Sequence, residues 1–315
     1  HLKRGRFAVT ACGLFHLGGE SVLHDVGFIG LGVLGSAIVS NIAAVGGTTV
    51  LAFDRAEPAR KAVADRVRLA ESGADVARHS RVVFTCLPHA AAMREVAAEI
   101  ASVEHNGQLI VELSTLSIAD KEAARDILEG AGRRMLDCPV SGNRIMALAR
   151  GLTAFCSGAR EDYEAVREIL LTFCKKEHYV GPFGNGSKVK FCGNILNLVH
   201  NTVAAEAMVL AIKSGLDPKM FHEVISGSGS SSAMFEVRGK LMAENDYAKE
   251  GMNFSVPLKD SRIIAEHAAT IGVPIPLYQA AVQFYHAAAA QGLAHLDAAA
   301  VCRVMERLAN CERPS

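Results

Sequence analysis

The sequence has no excess charge of either sign, because 33 Lys and Arg residues balance 33 Asp and Glu residues. A neutral chain has no overall field that would attract nucleic acid or an anionic membrane. No apolar run approaches the roughly 20 residues of a membrane span, so we expect no membrane partner. The chain has 315 residues, half of them hydrophobic, which is enough for two globular domains with a substantial core.

Cysteine and histidine are present, but they lack the spacings of metal sites. The eight cysteines contain no C-x-x-C pair, and the twelve histidines contain no H-x-x-x-H pair. Scattered thiols of this kind are typical of a reducing compartment. We therefore expect a cytoplasmic protein with free thiols and no bound metal.

The first 25 residues do not match the rest of the chain. A basic start and a short apolar piece faintly resemble a signal peptide, but Thr10, Gly13 and His16 interrupt the apolar piece and no A-x-A site follows. We expect residues 1–25 to be a poorly ordered extension or a tag remnant, with the folded chain beginning at Val26.

A glycine-rich turn follows the first expected strand. Residues 26–29 read as an apolar strand, residues 30–35 as G-x-G-x-x-G, residues 36–45 as a helix and residues 48–53 as a second strand. The glycines permit a tight turn and close approach of the backbone to a pyrophosphate, whose charge the start of the helix attracts. This pattern predicts a dinucleotide site.

Asp54 ends the second strand, 19 residues after Gly35. At this place a carboxylate can accept hydrogen bonds from a ribose hydroxyl. A carboxylate repels a 2′-phosphate, so Asp54 favours NAD. Its neighbour Arg55 could accommodate such a phosphate, so NADP stays open.

The alternation of strands and helices continues to about residue 173, which is typical of an α/β domain with a doubly wound parallel sheet. We expect helices over residues 58–71, 90–100, 118–130 and 162–173, with strands at 82–87, 109–113, 134–137 and 153–156. Leu87-Pro88, Ser114-Thr115 and Ser141-Gly142 fall at strand ends. Ligands of such sheets bind at that edge, so these pairs should converge around the cofactor.

The second half of the chain has the apolar periodicity of helices from residue 187 onward. Helices are expected over residues 187–214, 218–226, 235–244, 257–271, 276–291 and 297–310. We therefore predict a dinucleotide-binding domain over residues 26–186 and an all-helical domain for substrate binding and dimerisation over residues 187–315.

The stretch GNGSKVKFCGNILNLVHN, residues 184–201, should join the two halves. With Ser187 as the N-cap, Lys190 is the third helical residue, and Asn194, Asn197 and Asn201 follow on its face. The positive end of the helix dipole lowers the pKa of such a lysine, which suits it to act as a base. For this segment alone, a solvated polar stripe is the alternative.

The same helix carries apolar residues on more than one side, including Ile195, Leu198 and Val203. A helix of this kind is buried all round. We therefore expect the helical domains of two or four copies to pack together, as a homodimer or homotetramer.

Four motifs in this order resemble the β-hydroxyacid dehydrogenase family, over residues 26 to about 310. GFIGLGVLG at residues 27–35 resembles its cofactor turn, and DCPVSG at 137–142 its substrate loop. GNGSKVKFCGN at 184–194 resembles its catalytic segment, and FSVPLKD at 254–260 its C-terminal K-D segment.

The resemblance implies reversible hydride transfer between a short β-hydroxy acid and NAD, with NADP possible. The substrate would be of the 3-hydroxyisobutyrate, glycerate/tartronate semialdehyde or threonate type. Lys190 would be the general acid/base, and Ser141, Gly142 and Asn194 would bind the substrate. The resemblance places at the cofactor Phe28, Ile29, Gly30, Leu31, Gly32, Val33, Leu34, Gly35, Asp54, Arg55, Leu87, Pro88, Thr115 and Lys259.

Two residues differ from the family pattern at positions that the resemblance places in the substrate-binding segments. Asn143 replaces the second glycine of S-G-G, and Gly193 replaces the first of two paired asparagines. Residues 234–238, MFEVR, look like the branch that acts on sugar acids such as threonate. An apolar Met234-Phe235 pair at helical spacing can equally be core packing.

Two other functions use a scaffold of this kind. The first is imine reduction, against which a retained Lys190 and Asn194 argue. The second is a non-catalytic protein that senses dinucleotides or reads chromatin, against which Lys190 and the neutral charge argue.

Overall fold

The computed structural model describes residues 24–46, 48–105, 107–248 and 251–313. Of the extension expected over residues 1–25, residues 1–23 lie outside the described residues. The first strand begins at His24, two residues before the expected start of the fold.

Six parallel strands form the central sheet in the order β3-β2-β1-β4-β5-β6. These strands are β1 (His24–Ile29), β2 (Val50–Phe53), β3 (Arg68–Leu69), β4 (Ser80–Thr85), β5 (Leu109–Glu112) and β6 (Arg134–Asp137). The strand order reverses between β1 and β4, and ligands of such sheets bind beyond the carboxyl ends at that point. The doubly wound parallel sheet is confirmed.

The helices that cover this sheet are α1 (Val33–Ala43), α2 (Glu57–Lys61), α3 (Gly73–His79), α4 (Ala90–Ala101) and α5 (Ile118–Gly130). Successive strand residues point to opposite faces. Phe28 and Phe84 therefore lie in one buried cluster, while Ile29 and Val83 lie in another. Full burial of such a side chain stabilises the fold by about 1.5–3 kcal/mol. Both faces of the sheet are therefore covered by buried apolar side chains.

The single helix predicted over residues 58–71 is wrong. The helix ends at Lys61, the chain then forms the short strand β3 beside β2, and α3 follows. Pairing with β2 favours a strand here. Ala70 N donates to the carbonyl oxygen of Ala52 at 2.9 Å, so this backbone group of β2 has a hydrogen-bond partner. Ser72 then caps α3 by accepting a hydrogen bond from Asp75 N. Partners in the sheet outweigh the local helical pattern.

A second, three-stranded sheet follows, which the sequence did not predict. Its strands are β7 (Val140–Ser141), β8 (Leu152–Cys156) and β9 (Cys174–Tyr179), with α6 (Arg144–Leu148) and α7 (Arg160–Leu170) between them. β7 pairs antiparallel with β8, and β9 pairs parallel with it. The sequence of β9, CKKEHY, is mostly polar, so it lacks the apolar pattern of a strand.

The rest of the described chain is helical, as expected. It comprises α8 (Asn185–Lys213), α9 (Pro218–Ile225), a π-helical segment (Phe235–Gly239) that continues into α10 (Lys240–Glu244), α11 (Ser255–Thr270), α12 (Pro276–Ala290), a short 3-10 turn (Ala298–Ala300) and α13 (Val301–Leu308). The buried side of α8 joins the core of this half. Phe235 also lies in that core, beside Phe221, so core packing explains it. The domain boundary at 186/187 stays a prediction.

Helix α8 is long and apolar enough to cross a membrane by length and composition, which corrects the expectation that no run approaches that length. Half of its most apolar window is buried inside the protein. The core helix of a soluble protein has the same length and composition, so this is weak evidence for a membrane span.

Candidate active site

The glycine turn is tight at two of its three glycines. Gly30 has φ +102°, and a Cβ there would lie 2.2 Å from the carbonyl oxygen of Cys86. A Cβ on Gly35 would lie 2.0 Å from the carbonyl oxygen of Gly30. Both positions therefore exclude any side chain. Gly32, at the tip, is exposed and has no atom within 4 Å of the place of a Cβ.

Helix α1 begins at Val33, within this turn, without a capping side chain. Its first amides and the positive end of its dipole can therefore bind an anion. Together with the open space at Gly32, this start fits the pyrophosphate of a dinucleotide.

The side chains under the turn support it rather than face the cleft. Phe28 and Ile29 lie in the core clusters of the two sheet faces, and Leu31 is also buried. Cofactor contacts of Phe28 and Ile29 are thus restricted to their backbone. Val33, in contrast, is 71 % exposed at the start of α1, followed by the half-buried Leu34.

Asp54 fastens the turn to the end of β2. One carboxylate oxygen accepts from Leu31 N at 2.7 Å, and the other accepts from Ala56 N at 2.7 Å. The neighbouring Arg55 is exposed and pairs with Glu95 at 2.7 Å. Arg60, which the sequence analysis did not select, donates to the carbonyl oxygens of Asp54 and Arg55. Two cations, Arg55 and Arg60, therefore lie next to Asp54.

Two of the three expected strand-end loops meet, those after β4 and β5, whereas Ser141-Gly142 lies at the end of β7 in the second sheet. Leu87 N donates to Ser114 Oγ at 2.6 Å, which joins the ends of β4 and β5, with Pro88 following on the surface. Lys259 reaches over from α11 and donates to the carbonyl oxygen of Thr115 at 2.7 Å. The contact between Lys259 and Thr115 joins the helical half to the carboxyl edge of the sheet.

The start of α8 differs from the expectation. The N-cap is Gly184 with φ +89°, not Ser187. Ser187 is inside the helix, where its N and Oγ both donate to the carboxylate of Asp137, at 2.8 and 2.9 Å. Lys190 is consequently the sixth helical residue rather than the third. The dipole effect falls off within the first turn, so it is small at Lys190.

Lys190 is 7 % exposed. Burial lowers the pKa of Lys190 to about 8, with the charge of Lys259 adding to the effect and Asp260 opposing it. Burial, rather than the helix dipole, therefore brings this amine toward neutral pH.

Asp260 is a site residue that the sequence analysis missed, although it ends the K-D segment. Its Oδ2 accepts from Asn194 Nδ2 at 2.8 Å, and its Oδ1 lies 3.2 Å from Lys259 Nζ outside hydrogen-bond geometry. Burial raises the pKa of Asp260, while Lys259 and Lys190 oppose that rise. Asp260 thus orients Asn194 and supplies the negative charge that opposes the effect of burial on Lys190.

Asn194 and Asn201, on the expected polar face of α8, make contacts in two different places. Asn194 turns toward Asp260, one turn beyond Lys190. Asn201 is buried and donates to Tyr285 Oη at 2.7 Å and to the carbonyl oxygen of Ala298 at 3.0 Å. Asn201 therefore holds the helical core together and lies away from the site.

The substrate loop begins at Asp137 and leads to Ser141 and Gly142 at the end of β7. Gly142 has φ +135°, and a Cβ there would lie 2.5 Å from the side chain of Leu152. Asn143, the departure from the family pattern, caps α6 by accepting from Met146 N at 2.9 Å. The other departure, Gly193, has open space around it.

Among the residues that the structure describes, no three His, Cys, Asp or Glu side chains form a group that could hold a metal ion. The polar groups gathered at the sheet edge are instead an amine, a carboxylate and an amide. These groups suit proton transfer and carboxylate binding.

Comparison with protein families gives two matches that together span most of the chain. The family described as the NAD binding domain of 6-phosphogluconate dehydrogenase matches residues 25–181. The family described as NAD-binding of NADP-dependent 3-hydroxyisobutyrate dehydrogenase matches residues 184–305.

Individual proteins are similar over nearly their full length. A 2-(hydroxymethyl)glutarate dehydrogenase from Eubacterium barkeri is 32 % identical over 90 % of this chain and 95 % of its own. An L-threonate dehydrogenase from Cupriavidus necator is 30 % identical over 89 % and 95 %. The structure of Mycobacterium tuberculosis 3-hydroxyisobutyrate dehydrogenase with L-serine superposes with a TM-score of 0.83 at 27 % identity, covering 90 % and 99 %.

Proposed function

The chain belongs to the β-hydroxyacid dehydrogenase family of NAD(P)-dependent oxidoreductases, and we propose that Lys190 is the general acid/base of its reaction. The observation that carries this proposal is the buried amine of Lys190, whose pKa lies at about 8 beside Asp260. An amine is an efficient proton acceptor and donor when its pKa is near the working pH.

In the proposed mechanism, the carboxylate of the hydroxy acid is held by Ser141, by the amide of Gly142 and by Asn194. Neutral Lys190 takes the hydroxyl proton at Nζ as the carbinol C–H bond breaks, and it returns the proton in the reverse direction. The nicotinamide, when bound, supplies the hydride acceptor. Asp260 fixes the amide of Asn194 and limits the fall in the pKa of Lys190.

For the cofactor, the glycine turn at residues 30–35 would hold the pyrophosphate, and Leu87, Pro88, Thr115 and Lys259 would line the nicotinamide end. We propose NAD as the preferred form because Asp54 ends β2. The contact of its carboxylate with Leu31 N keeps it next to the turn. Arg55 and Arg60 are the cations that could instead receive a 2′-phosphate.

A substrate panel tests the proposed function. The enzyme would be assayed with C3–C6 β-hydroxy acids, including 3-hydroxyisobutyrate, glycerate and L-threonate, with both NAD and NADP. Cyclic imines with NADH and NADPH would be assayed in parallel. We expect turnover of at least one β-hydroxy acid, with NAD preferred. Faster reduction of imines would favour the imine reductase alternative, and NADH binding without any turnover would favour the non-catalytic one.

We further propose that the exposed side of α8 packs against a second copy of the chain, as a homodimer or homotetramer. Val189, Leu196, Val203 and Leu210 are between 38 % and 69 % exposed and recur every seven residues. A seven-residue repeat places apolar side chains along one side of a helix, as in helix–helix interfaces. These four exposed apolar residues on one side of α8 support a partner of the same kind.

The replacement of both Leu196 and Val203 by glutamate should convert the oligomer into monomers, because each copy would bring two like charges into the buried interface. The measurement is molar mass by size-exclusion chromatography with light scattering. Ile127→Glu, at an exposed apolar residue of α5, is the matched control and should keep the oligomer. A parent protein that is already monomeric would contradict the proposal.

We also propose a cytoplasmic location without nucleic-acid or membrane partners. The seven cysteines of the described residues are all free, including the exposed Cys192. Free thiols persist in a reducing compartment, and the balanced charge of the sequence supports the same assignment.

A further inference from the structure

A fully buried charge cluster lies beneath the proposed active site, and the mechanism does not use it. Lys121 of α5, Asp137 of β6 and Glu112 of β5 are each at most 1 % exposed. Lys121 Nζ lies 2.7 Å from Asp137 Oδ1, 3.5 Å from Glu112 Oε2, and donates to the carbonyl oxygen of Ser114 at 2.6 Å. Buried ion pairs are weak evidence of stability, because the loss of hydration offsets their attraction.

The cluster connects the elements that carry the site. Asp137 accepts two hydrogen bonds from Ser187 in the first turn of α8 and one from Ser157 Oγ. Glu112 Oε2 accepts from Ser114 N at 2.7 Å, and Ser114 Oγ in turn accepts from Leu87 N. Three charged groups therefore join the ends of β5 and β6 and the start of α8, and Ser114 extends this network to the residues after β4.

The charge of Lys121 balances the two buried carboxylates, Asp137 and Glu112. Burial alone would disfavour the ammonium form, but Asp137 and Glu112 together outweigh it and raise the pKa of Lys121. Burial raises the pKa of Glu112, which Lys121 opposes. The positive end of the α8 dipole faces Asp137 as a second partner. Without the ammonium, Asp137 would be left with only neutral donors in a dry site.

The first turn of α8 also packs without free space against these strand ends. A Cβ on Gly186 would lie 2.3 Å from the carbonyl oxygen of Phe155 and 2.8 Å from that of Asp137. Any displacement of Asp137 must therefore displace α8. Lys190 is about one helical turn beyond Ser187, and Asn194 about two turns.

We propose that Lys121 is a positioning residue for hydride transfer, which acts by holding Asp137 and thereby fixing α8 so that Lys190 and Asn194 face the bound substrate. This inference rests on the proposed role of Lys190. A misplacement of about 1 Å at a reacting group can cost about 100-fold in rate. A partial displacement should therefore lower kcat without abolishing cofactor binding.

The test compares Lys121→Met with the parent enzyme on the hydroxy acid that the panel identifies. We expect kcat to fall about tenfold, with the Kd for NADH changed by no more than about twofold, at a temperature where circular dichroism shows the variant folded. The midpoint of the pH profile should stay at about 8, because Lys190 itself is unchanged. An unchanged kcat with only a lower Tm would overturn the proposal.

Two further variants keep the test decisive. In a double-mutant cycle of Lys121→Met and Asp137→Asn, kcat of the double variant should fall far less than the product of the two single falls. Both substitutions act through the same contact. Ser187→Ala removes only the Oγ contact with Asp137, so it should fold and still lower kcat about threefold. If Ser187→Ala kept full kcat, or the cycle were additive, the inference would fail. Absence of hydroxy-acid turnover in the parent would instead be a failure of the proposed function.

Discussion

Replacement of Lys190 by alanine is expected to remove turnover of the hydroxy acid while NADH still binds. Loss of a general acid/base typically costs about 10²–10⁴-fold in rate. The side chain is buried near Asp260 and Lys259 of the helical half, whereas the cofactor is expected to rest on the glycine turn, so the two effects should separate. The measurements are kcat with saturating substrate and the Kd for NADH from fluorescence.

Lys188→Ala is the matched control for this experiment. Lys188 lies two residues away on the same helix, but its side chain is exposed and donates to Asn185 Oδ1. Its removal should leave kcat within about twofold of the parent. A Lys190→Ala enzyme with near-normal kcat would show that another group moves the proton.

The pH dependence of the same enzyme gives a second readout of Lys190. Oxidation of the hydroxy acid requires the neutral amine, so its rate should rise with pH and level off above about 8. Reduction requires the ammonium form, so its rate should fall over the same interval. Asp260→Asn removes the charge that opposes the effect of burial, and it should shift both midpoints to lower pH.

Gly32→Ala is expected to weaken NADH binding by about 100-fold, or about 3 kcal/mol, while the fold stays intact. No protein atom lies within 4 Å of the added Cβ, and φ at Gly32 is −62°, so the substitution creates neither a clash nor backbone strain. The methyl group would instead occupy the space that the pyrophosphate needs. The Kd for NADH and the Tm without cofactor measure the two parts of this expectation.

Substitutions at two other glycines serve as comparisons for Gly32→Ala. Gly130 ends α5, also with open space around it, so Gly130→Ala should change neither quantity appreciably. Gly35→Ala places a Cβ 2.0 Å from the carbonyl oxygen of Gly30, so it should lower the Tm as well as the affinity. If Gly32→Ala bound NADH as tightly as the parent, the pyrophosphate could not lie at the tip of this turn.

The regular part of the fold could be predicted because it follows from local patterns. Helix α5 and strand β6 have the bounds that the sequence predicted. The strands and helices that were missed depend on a partner. β3 exists because β2 offers an open edge, and the polar strand β9 exists because β8 does. Sequence periodicity contains no record of such pairing.

The sequence by itself determined the glycine turn, the order of the two halves and the choice of Lys190. The glycine turn and Lys190 rest on motifs of a few neighbouring residues, and the order of the two halves rests on the periodicity of apolar residues along the chain. Only the tertiary structure decided the surroundings of Lys190. Its pKa is lowered by burial rather than by the helix start, its neighbouring carboxylate Asp260 lies 70 positions further along the chain, and Asp137, rather than the expected Ser187 cap, binds the first turn of its helix. Desolvation and ion pairing depend on which distant groups the fold brings together, whereas helical spacing does not.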